Sequence, residues 1–265
     1  MKKLSKLFLL ISIMVCCGHS MAQTRASMLL GGSYPLKEFA LYDGLEHCAL
    51  FKEGAVQGAA GIGFNAGLRW YFNVGVKGLG IMLSVDGFYN GPTEALKNAY
   101  RNKEHCFDSQ YIGNSFVYNS TSGYINVPAM LGLNYVYYID PKFGVFLEAG
   151  VGGNARFITS RESVGEIFLQ DETTLTEHNI KAKERIIQYY DHMFSLAYQA
   201  GIGFEVSKKF VISCSFYDLG SAVVKGKRVV NTTNLETNYT ESETDYPSFG
   251  TVHPVMVVGR IGFMF

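Results

Sequence analysis

The sequence predicts an all-β fold: a transmembrane, antiparallel, up-and-down β-barrel of eight strands, with long external loops and short periplasmic turns. Apolar and polar residues alternate with period two along most of the chain after residue 22, which is typical of strands with one apolar face. No segment there has the roughly 20 continuous apolar residues of a membrane helix. Eight segments approach the about 9–11 residues of a tilted membrane strand. They begin near Ser27, Ala59, Leu79, Ile125, Phe143, Phe194, Phe210 and Val255.

The first 22 residues are interpreted as a signal peptide. A basic stretch, "MKKLSK", precedes the apolar "LFLLISIMVCC", and small residues stand before a cleavage point after Ala22. This leaves 23–265 as a single barrel domain. The alternative is a lipid on Cys16 or Cys17, but neither follows the small residue that a lipobox needs. The chain is therefore expected to leave the cytoplasm.

The strand pattern is clearest in "YINVPAMLGLNYVYYI". One face of this segment is continuously apolar, and the other is small or polar. The same division occurs in "AAGIGFNAGLRWYF", "VFLEAGVGGNARF" and "FSLAYQAGIGFEV". Because successive side chains point to opposite faces of a strand, each segment is predicted to have one apolar wall.

The connections between these segments alternate in length. Short ones are "NVGVKG", "DPK" and "SKK". Long ones span roughly 35–57, 91–122, 159–191 and 226–250, and they are polar. The stretch "ETNYTESETDY" is interpreted as a solvated acidic loop. This alternation predicts a meander with its short turns on one side and its long loops on the other, and an even strand number puts both termini on the turn side.

Two closed barrels fit this strand count. A soluble lipocalin-like barrel has its apolar residues inside, whereas a membrane barrel has them outside. Here the apolar face is continuous, while the opposite face has glycine, serine, asparagine and isolated charges that do not fill a dry cavity. Aromatics such as Trp70, Tyr137 and Phe263 stand at segment ends, as in membrane girdles. A Lys or Arg that faces lipid near mid-membrane costs about 2–4 kcal/mol, and the predicted lipid faces have none, which favours the membrane barrel.

The last segment, "VMVVGRIGFMF", is predicted to be a strand that runs to the final residue of the sequence. A closed barrel has no edges, so its last strand pairs with its first. The residues predicted to face lipid are Val255, Val257, Ile261, Phe263 and Phe265.

Several of these motifs resemble the porin-family outer-membrane β-barrel domain, akin to small OmpA- and OmpX-type barrels. They are "YINVPAMLGLNY", "FGVFLEAGVGGNARF", "YQAGIGF", "YDLGSAVVKGK" and "GRIGFMF". The resemblance covers essentially all of 23–265. It implies a location in the outer membrane of a Gram-negative cell envelope, with outer-membrane lipid and the outer-membrane assembly machinery as partners. It also implies that Phe263 and Phe265 belong to the C-terminal signal that this machinery reads. It does not specify a function, because the family is functionally mixed and shares no catalytic motif.

Catalytic chemistry has little support in the sequence. The nearest approach to a nucleophile with a base is Asp191 and His192 with Ser195, and these are interpreted as residues at a loop end. We therefore expect a protein that is not an enzyme and has no cofactor. Lys plus Arg and Asp plus Glu both number 23, and this balance gives no reason to expect nucleic acid as a partner.

The word "EHC" occurs twice, in the first and the second predicted loop. Cys48 and Cys106 are candidates for a disulfide that joins these loops, since such bonds persist in exported proteins. A metal site that adds His47 and His105 has suitable ligand types but not the spacing of a known closed site. Coincidence in polar loops is the third interpretation. Cys214 is expected on the lipid face as a small apolar residue.

The predicted lumen contains a balanced set of charges. An eight-stranded barrel is only just wide enough for side chains to fill it, so opposite charges should meet there and close the lumen. The alternative is a wet channel that the charges line. Four of the six, Arg69, Glu148, Glu205 and Arg260, are expected nearer the turns, so that loss of both arginines leaves Glu148 facing Glu205. The complete set is Arg69, Asp86, Glu148, Arg156, Glu205 and Arg260.

Three hypotheses about function follow. The first is a closed barrel whose external loops bind an extracellular or envelope partner or support the envelope. The second is a small-solute porin, and the third is the barrel component of a secretion or assembly machine. The loops make up nearly half of the predicted mature chain, which favours the first hypothesis because loops commonly carry binding.

Overall fold

Strands dominate the architecture of the computed structural model, which describes residues 24–41, 58–95, 97, 115–120, 123–170 and 179–265. In chain order, the strands are β1 (Thr24–Leu36), β2 (Ala60–Asn73), β3 (Leu79–Pro92), β4 (Ser115–Ser120), β5 (Tyr124–Asp140), β6 (Phe143–Ile158), β7 (Arg161–Gln170), β8 (Asn179–Tyr190), β9 (Met193–Val206), β10 (Phe210–Asp218), β11 (Ala222–Asn234), β12 (Thr240–Asp245), β13 (Ser248–Val252) and β14 (Val255–Met264). One short helix, α1 (Lys37–Ala40), follows β1.

Eight of these strands close into an antiparallel barrel in the order β1-β14-β10-β9-β6-β5-β3-β2. Each contains or lies next to one of the eight predicted starting positions, so the predicted fold class is confirmed. The short connections 74–78, 141–142 and 207–209 lie at one end of the barrel, here called the turn-side end. The opposite end is called the loop-side end.

Pairing of β1 with β14 closes the barrel. Ten residue pairs run from Ser27 with Met264 to Leu36 with Val255. Beyond them, the N–H of Phe265 donates to the carbonyl of Ala26 at 2.8 Å, and the N–H of Ala26 donates back to Phe265 at 2.9 Å. The ladder therefore extends to the last residue of the sequence, as the alternation there predicted.

A second sheet stands at the loop-side end. Its strand order is β12-β11-β8-β7-β4, and β13 also pairs with β11. These strands lie largely in the segments predicted only as polar loops, although β11 begins before and β13 ends after the predicted loop 226–250. "ETNYTESETDY" is solvated as expected, but Thr240–Asp245 within it is a strand hydrogen-bonded to β11. The hydrophobic pattern did not predict this loop-side sheet. Charged and polar residues occupy both of its faces, so its strands lack the period-two alternation of apolar and polar residues.

The barrel wall has an apolar exterior. Large apolar side chains that alternate along the strands are exposed, among them Leu131, Leu133, Phe194 and Ile261. Cys214 is also exposed on this surface, as predicted. The helix α1 places Phe39 in the loop-side mouth, where it is buried against Tyr124. No helix in the described part of the chain is long and apolar enough to cross a membrane.

The filling of the interior differs from the prediction. The inward face of most segments was expected to be small or polar, yet it also includes buried Leu29, Met82, Phe88 and Phe146. The alternation correctly identified which side chains point inward. It did not show that large apolar side chains fill the space between the polar ones, because period two gives the side on which a residue lies and not how the interior is packed.

Candidate functional site

Two ion pairs cross the middle of the lumen. Arg69 of β2 pairs with Glu148 of β6, and neither side chain is exposed to solvent. Arg260 of β14 donates from Nη1 to Oδ1 of Asp86 at 2.9 Å, and this pair is equally buried. Two guanidinium groups and two carboxylates therefore balance within the barrel.

Ser215 of β10 joins the two ion pairs. Its hydroxyl accepts a hydrogen bond from Nη2 of Arg260 at 2.6 Å and donates one to Oε1 of Glu148 at 3.1 Å. Arg260 and Glu148 themselves lie 3.8 Å apart. The four charged residues consequently form one network, here called the central network, rather than two separate pairs.

Tyr217 lies at the centre of this network. Its hydroxyl donates to Oδ2 of Asp86 at 2.8 Å and accepts from Arg260 at 2.8 Å and from Arg69 at 3.1 Å. The carbon of the Arg260 guanidinium also lies 5.3 Å from the centre of the tyrosine ring. Sequence reasoning did not single out Tyr217, although it shares the inward face of β10 with Ser213 and Ser215 and could have been found by that alternation.

Glu205 belongs to a different cluster, near the turn-side end. Both of its carboxylate oxygens accept from Nη1 of Arg25, at 2.8 and 2.9 Å. The hydroxyl of Tyr138 donates to Glu205 at 3.0 Å and accepts from Arg25 at 2.9 Å. The expectation that Glu148 faces Glu205 is therefore wrong. Arg25 was missed because the first strand was predicted to begin at Ser27, two residues after it.

Arg156 lies towards the loop-side end and binds backbone rather than a carboxylate. It donates to the carbonyls of Val252 at 2.9 Å, Leu219 at 3.2 Å and Gly220 at 2.9 Å, and to the side chain of Asn126 at 3.0 Å. None of its contacts in the described part of the chain is with Asp or Glu. The expected pairing of this arginine with a carboxylate from an opposite wall is wrong, and Arg156 instead ties β6 to both ends of the segment between β10 and β14.

The predicted heights also need correction. Asp86 was expected nearer the loops than Arg260, but the two side chains meet. On β3, Met82, Asp86 and Phe88 follow one another from the turn-side end towards the loops. The other five predicted charges divide into Arg69, Glu148 and Arg260 in the central network, Glu205 below it and Arg156 above it.

Apolar layers lie on both sides of the central network. The turn-side layer and the loop-side layer are each a cluster of buried, mainly apolar residues, and the four charged residues of the network lie between them on the strands. Tyr217 belongs to the loop-side layer and reaches the network with its hydroxyl. The loop-side layer comprises Phe39, Ala60, Phe88, Tyr124, Met130, Met193, Ala197, Tyr217, Leu219, Val224, Val252, Met256 and Val258. On β14, for example, the inward-facing residues Val258, Arg260 and Met264 follow in this order from the loop-side end to the turn-side end. Such layers keep water from the network and strengthen its electrostatic interactions. The turn-side layer comprises Leu29, Tyr71, Met82, Val136, Phe146, Val211 and Met264.

The residues considered for catalysis have structural contacts. The hydroxyl of Ser195 donates to the carbonyl of Leu219 at 2.5 Å, and the ring of His192 packs edge-on against Phe157. No group of three or more His, Cys, Asp or Glu side chains that could hold a metal ion is found among the described residues.

Two sequence predictions fall outside the described residues. The first is the signal peptide, residues 1–22. The second is the loop pair Cys48 and Cys106, with the metal alternative that adds His47 and His105. Both stay predictions.

The fold and lumen define a class of protein: a closed β-barrel with an apolar exterior and a filled, ion-paired interior. No protein-family model matches the chain, and no curated protein matches its sequence. Among solved structures, it is similar to Ail, the attachment invasion locus protein of Yersinia pestis, with 16% identity, 92% of this chain and 100% of that chain covered, and a TM-score of 0.36.

Two further structures show a comparable likeness. Ail in complex with the heparin analogue sucrose octasulfate is 14% identical over the same shares of both chains, with a TM-score of 0.38. A major outer membrane protein from Thermus thermophilus is 8% identical over the same shares, with a TM-score of 0.39. At these values the likeness carries no argument about function, and the fold described above rests on the strand pairing of the chain itself.

Proposed function

We propose that this chain is an integral outer-membrane β-barrel protein without enzymatic activity, whose lumen is closed and whose loop-side sheet supports the envelope or binds a partner. In this proposal residues 1–22 direct export, both termini lie in the periplasm, and Phe263 and Phe265 form part of the signal that the assembly machinery reads.

The apolar exterior supports insertion in a membrane. Exposed large apolar side chains occupy outward positions on all eight barrel strands, for example Leu68 on β2 and Ile212 on β10. In water such a surface would be a large apolar patch of the kind that soluble monomers avoid. A closed barrel satisfies its backbone hydrogen bonds internally, which a lipid environment requires.

Heat-modifiable migration on a denaturing gel tests the barrel in membrane mimetics. We expect the unheated protein to migrate differently from the heated one, because a detergent-resistant barrel stays folded until boiled. Equal migration of the two samples, together with a mainly helical circular dichroism spectrum, would contradict the proposal.

The observation that carries the closed lumen is the central network between two apolar layers. Its two cations and two carboxylates are unexposed and mutually bonded, so an ion crossing the barrel would have to displace these pairs and both apolar layers. Buried ion pairs add little net stability, but separating them leaves charges unpaired at high cost.

Planar-bilayer recording distinguishes a closed barrel from a porin. The purified, refolded protein should show no steady conductance at moderate voltage. A stable, ohmic open state in the wild-type protein would instead establish the small-solute porin.

The loop-side sheet supports a binding role. Its strand β11 carries the exposed lysines Lys225 and Lys227, and β12 carries the exposed carboxylates Glu241 and Glu243. Because β11 pairs with β8 over nine residue pairs, a regular hydrogen-bonded sheet presents these charges. Chemical crosslinking in intact cells, followed by affinity capture and mass spectrometry, should recover a reproducible envelope or extracellular partner. Recovery of a secretion apparatus would make the chain a component of such a machine.

A control variant gives this capture experiment its specificity. Replacement of 229–244, the hairpin of β11 and β12, by a short turn should abolish capture while heat-modifiable migration is retained. If capture is unchanged in this variant, the hairpin is not the binding element.

A further inference from the structure

A cavity of about 400 Å³ opens into the lumen from the turn-side end. It is here called the turn-side cavity. Its size falls within the range of about 300–1,000 Å³ that small-molecule sites occupy. Buried Tyr71 and Val136 of the turn-side apolar layer form part of its wall. The polar groups that line it include Arg25, Asn73, Asn134, Tyr138 and Lys208.

The charge that faces this cavity is positive. Arg25 and Lys208 line it, and no Asp or Glu is among the described residues of its lining. Glu205 pairs with Arg25 but is not among the lining residues, and its side chain is only 1% exposed, whereas the Arg25 side chain keeps 30% of its surface exposed. One cation, Lys208, is therefore in excess at the cavity.

Arg25 is held in place before any ligand arrives. Its three described hydrogen bonds, two to Glu205 and one to Tyr138, all use Nη1. Nε and Nη2 make no hydrogen bond with the described residues, so this edge of the guanidinium can donate to a ligand. A planar guanidinium edge matches a phosphate or carboxylate group with two parallel hydrogen bonds. Because the guanidinium is already fixed, binding costs little of its conformational freedom.

Lys208 has a left-handed backbone conformation that Gly and Asn adopt more easily than Lys. Ser207 and Lys208 both have positive φ, 53° and 54°, and the N–H of Lys209 donates to Val206 at 3.1 Å to close the turn. Two-residue turns of this kind usually contain Asn and Gly, because a larger side chain at positive φ costs free energy. The turn directs Lys208 over the ring of Tyr138, with Nζ 5.4 Å from the ring centre.

We propose that the turn-side cavity binds the phosphate group of a small anionic ligand, between the Arg25 guanidinium and the Lys208 ammonium. The phosphate comes either from a soluble phosphate ester or from the headgroup of a phospholipid. The site is independent of conductance, so its failure would leave the proposed closed barrel untouched.

Titration with glycerol 3-phosphate tests the soluble source. The full barrel is held in maltoside micelles in a buffer free of phosphate, and binding is followed by calorimetry and by the amide signals of Arg25 and Lys208. We expect saturable binding and shifts at both residues. Absence of saturable binding here, together with absence of shifts in the lipid arm below, would overturn the site.

Lys208→Asn is the informative variant. It removes one charge-assisted contact, so affinity should fall about tenfold, while the barrel should be as stable as wild type or more stable because Asn tolerates the positive φ. Lys77→Asn is the matched control: it removes a lysine from another turn, outside the cavity lining, and should leave affinity within about twofold. Equal weakening by both variants would show non-specific charge attraction and would overturn the site.

The lipid arm uses nanodiscs of phosphatidylglycerol and compares them with maltoside micelles. If a headgroup is the ligand, the Arg25 and Lys208 signals should shift in the nanodiscs without added ester, and Lys208→Asn should remove the Arg25 shift. If only the soluble ester produces the shifts, the ligand is the soluble one.

Discussion

Arg260 and Asp86 meet across the lumen at 2.9 Å, although 174 positions separate them in the sequence. In the barrel order, β1 and β2 stand between their strands, β14 and β3. The contact therefore spans the interior rather than the wall. It exists only because the barrel closes, and it makes the central network sensitive to the loss of any one member.

Removal of both arginines of the central network should open or destabilise the barrel. In Arg69→Ala with Arg260→Ala, the carboxylates of Glu148 and Asp86 stay buried without their cations, and breaking a buried pair in this way costs about 3–5 kcal/mol. Urea unfolding in micelles should show the lower free energy of unfolding, and planar-bilayer recording should show the ionic conductance of an opened lumen. The matched control replaces Arg69 and Glu148 together by Met, which is expected to leave the free energy of unfolding nearly unchanged. Wild-type-like behaviour of the arginine-free variant would exclude a closing role for the network.

Tyr217→Phe should destabilise the barrel by about 1–3 kcal/mol, since it removes the hydroxyl that bonds Asp86, Arg69 and Arg260. Oδ2 of Asp86 and Nη2 of Arg69 then stay buried without this partner, although the two ion pairs persist. Tyr198→Phe serves as the control, because Tyr198 faces outward and is 52% exposed. The same unfolding assay measures both. Equal midpoints for the two variants would mean that the Tyr217 hydroxyl contributes nothing.

Arg156→Met should loosen the segment between β10 and β14 without unfolding the barrel. The three backbone carbonyls that Arg156 holds at Leu219, Gly220 and Val252 lose their donor. Hydrogen exchange should then accelerate at the N–H of Leu219, which donates to Pro254 at 2.9 Å. Arg185→Met, at an exposed ion pair with Glu162, should leave that exchange rate unchanged. Similar protection in both variants would assign Arg156 no role in holding the segment.

The loop-side sheet should become more stable at neutral pH when Glu184 is replaced by Gln. Burial raises the pKa of Glu184, and the nearby charge of Arg228 lowers it only in part. A carboxyl whose pKa is higher in the folded state disfavours folding once pH exceeds its ordinary pKa of 4.5. The stability of the wild-type sheet should fall as pH rises from that value through the raised pKa, and Glu184→Gln should abolish this fall.

Limited proteolysis of the loop-side sheet across pH measures this effect with an acid-tolerant protease. The variant should be more resistant than wild type at pH 7, and the two should converge near pH 3, where Glu184 is protonated in both states. A difference that persists unchanged at pH 3 would point to a cause other than ionisation.

Cys48 and Cys106 are predicted to be oxidised to a disulfide that joins the first two external loops. Peptide mapping of the native protein without reductant should find the cross-linked pair. Cys214 is the internal control: it is exposed on the apolar exterior and should be alkylated in detergent under the same conditions. Quantitative alkylation of both loop cysteines in the native protein would rule the bond out.

The sequence alone determined the eight barrel strands and the face on which each side chain lies. Side chains alternate along a strand whatever its neighbours are, so period two in "YINVPAMLGLNYVYYI" is a local property of the chain. For the same reason, all six predicted charges are among the buried side chains.

Tertiary structure alone decided which inward residues meet. Contacts across a lumen depend on strand order and on the stagger between strands, and neither is written in the alternation of a single segment. Glu205 therefore pairs with Arg25 rather than joining Glu148, Tyr217 links both ion pairs, and Arg156 binds carbonyls of a distant segment. The loop-side sheet could not be predicted for a related reason. Its strands bear polar side chains on both faces, so they are defined by long-range backbone pairs such as Gly226 with Tyr190 rather than by a local pattern.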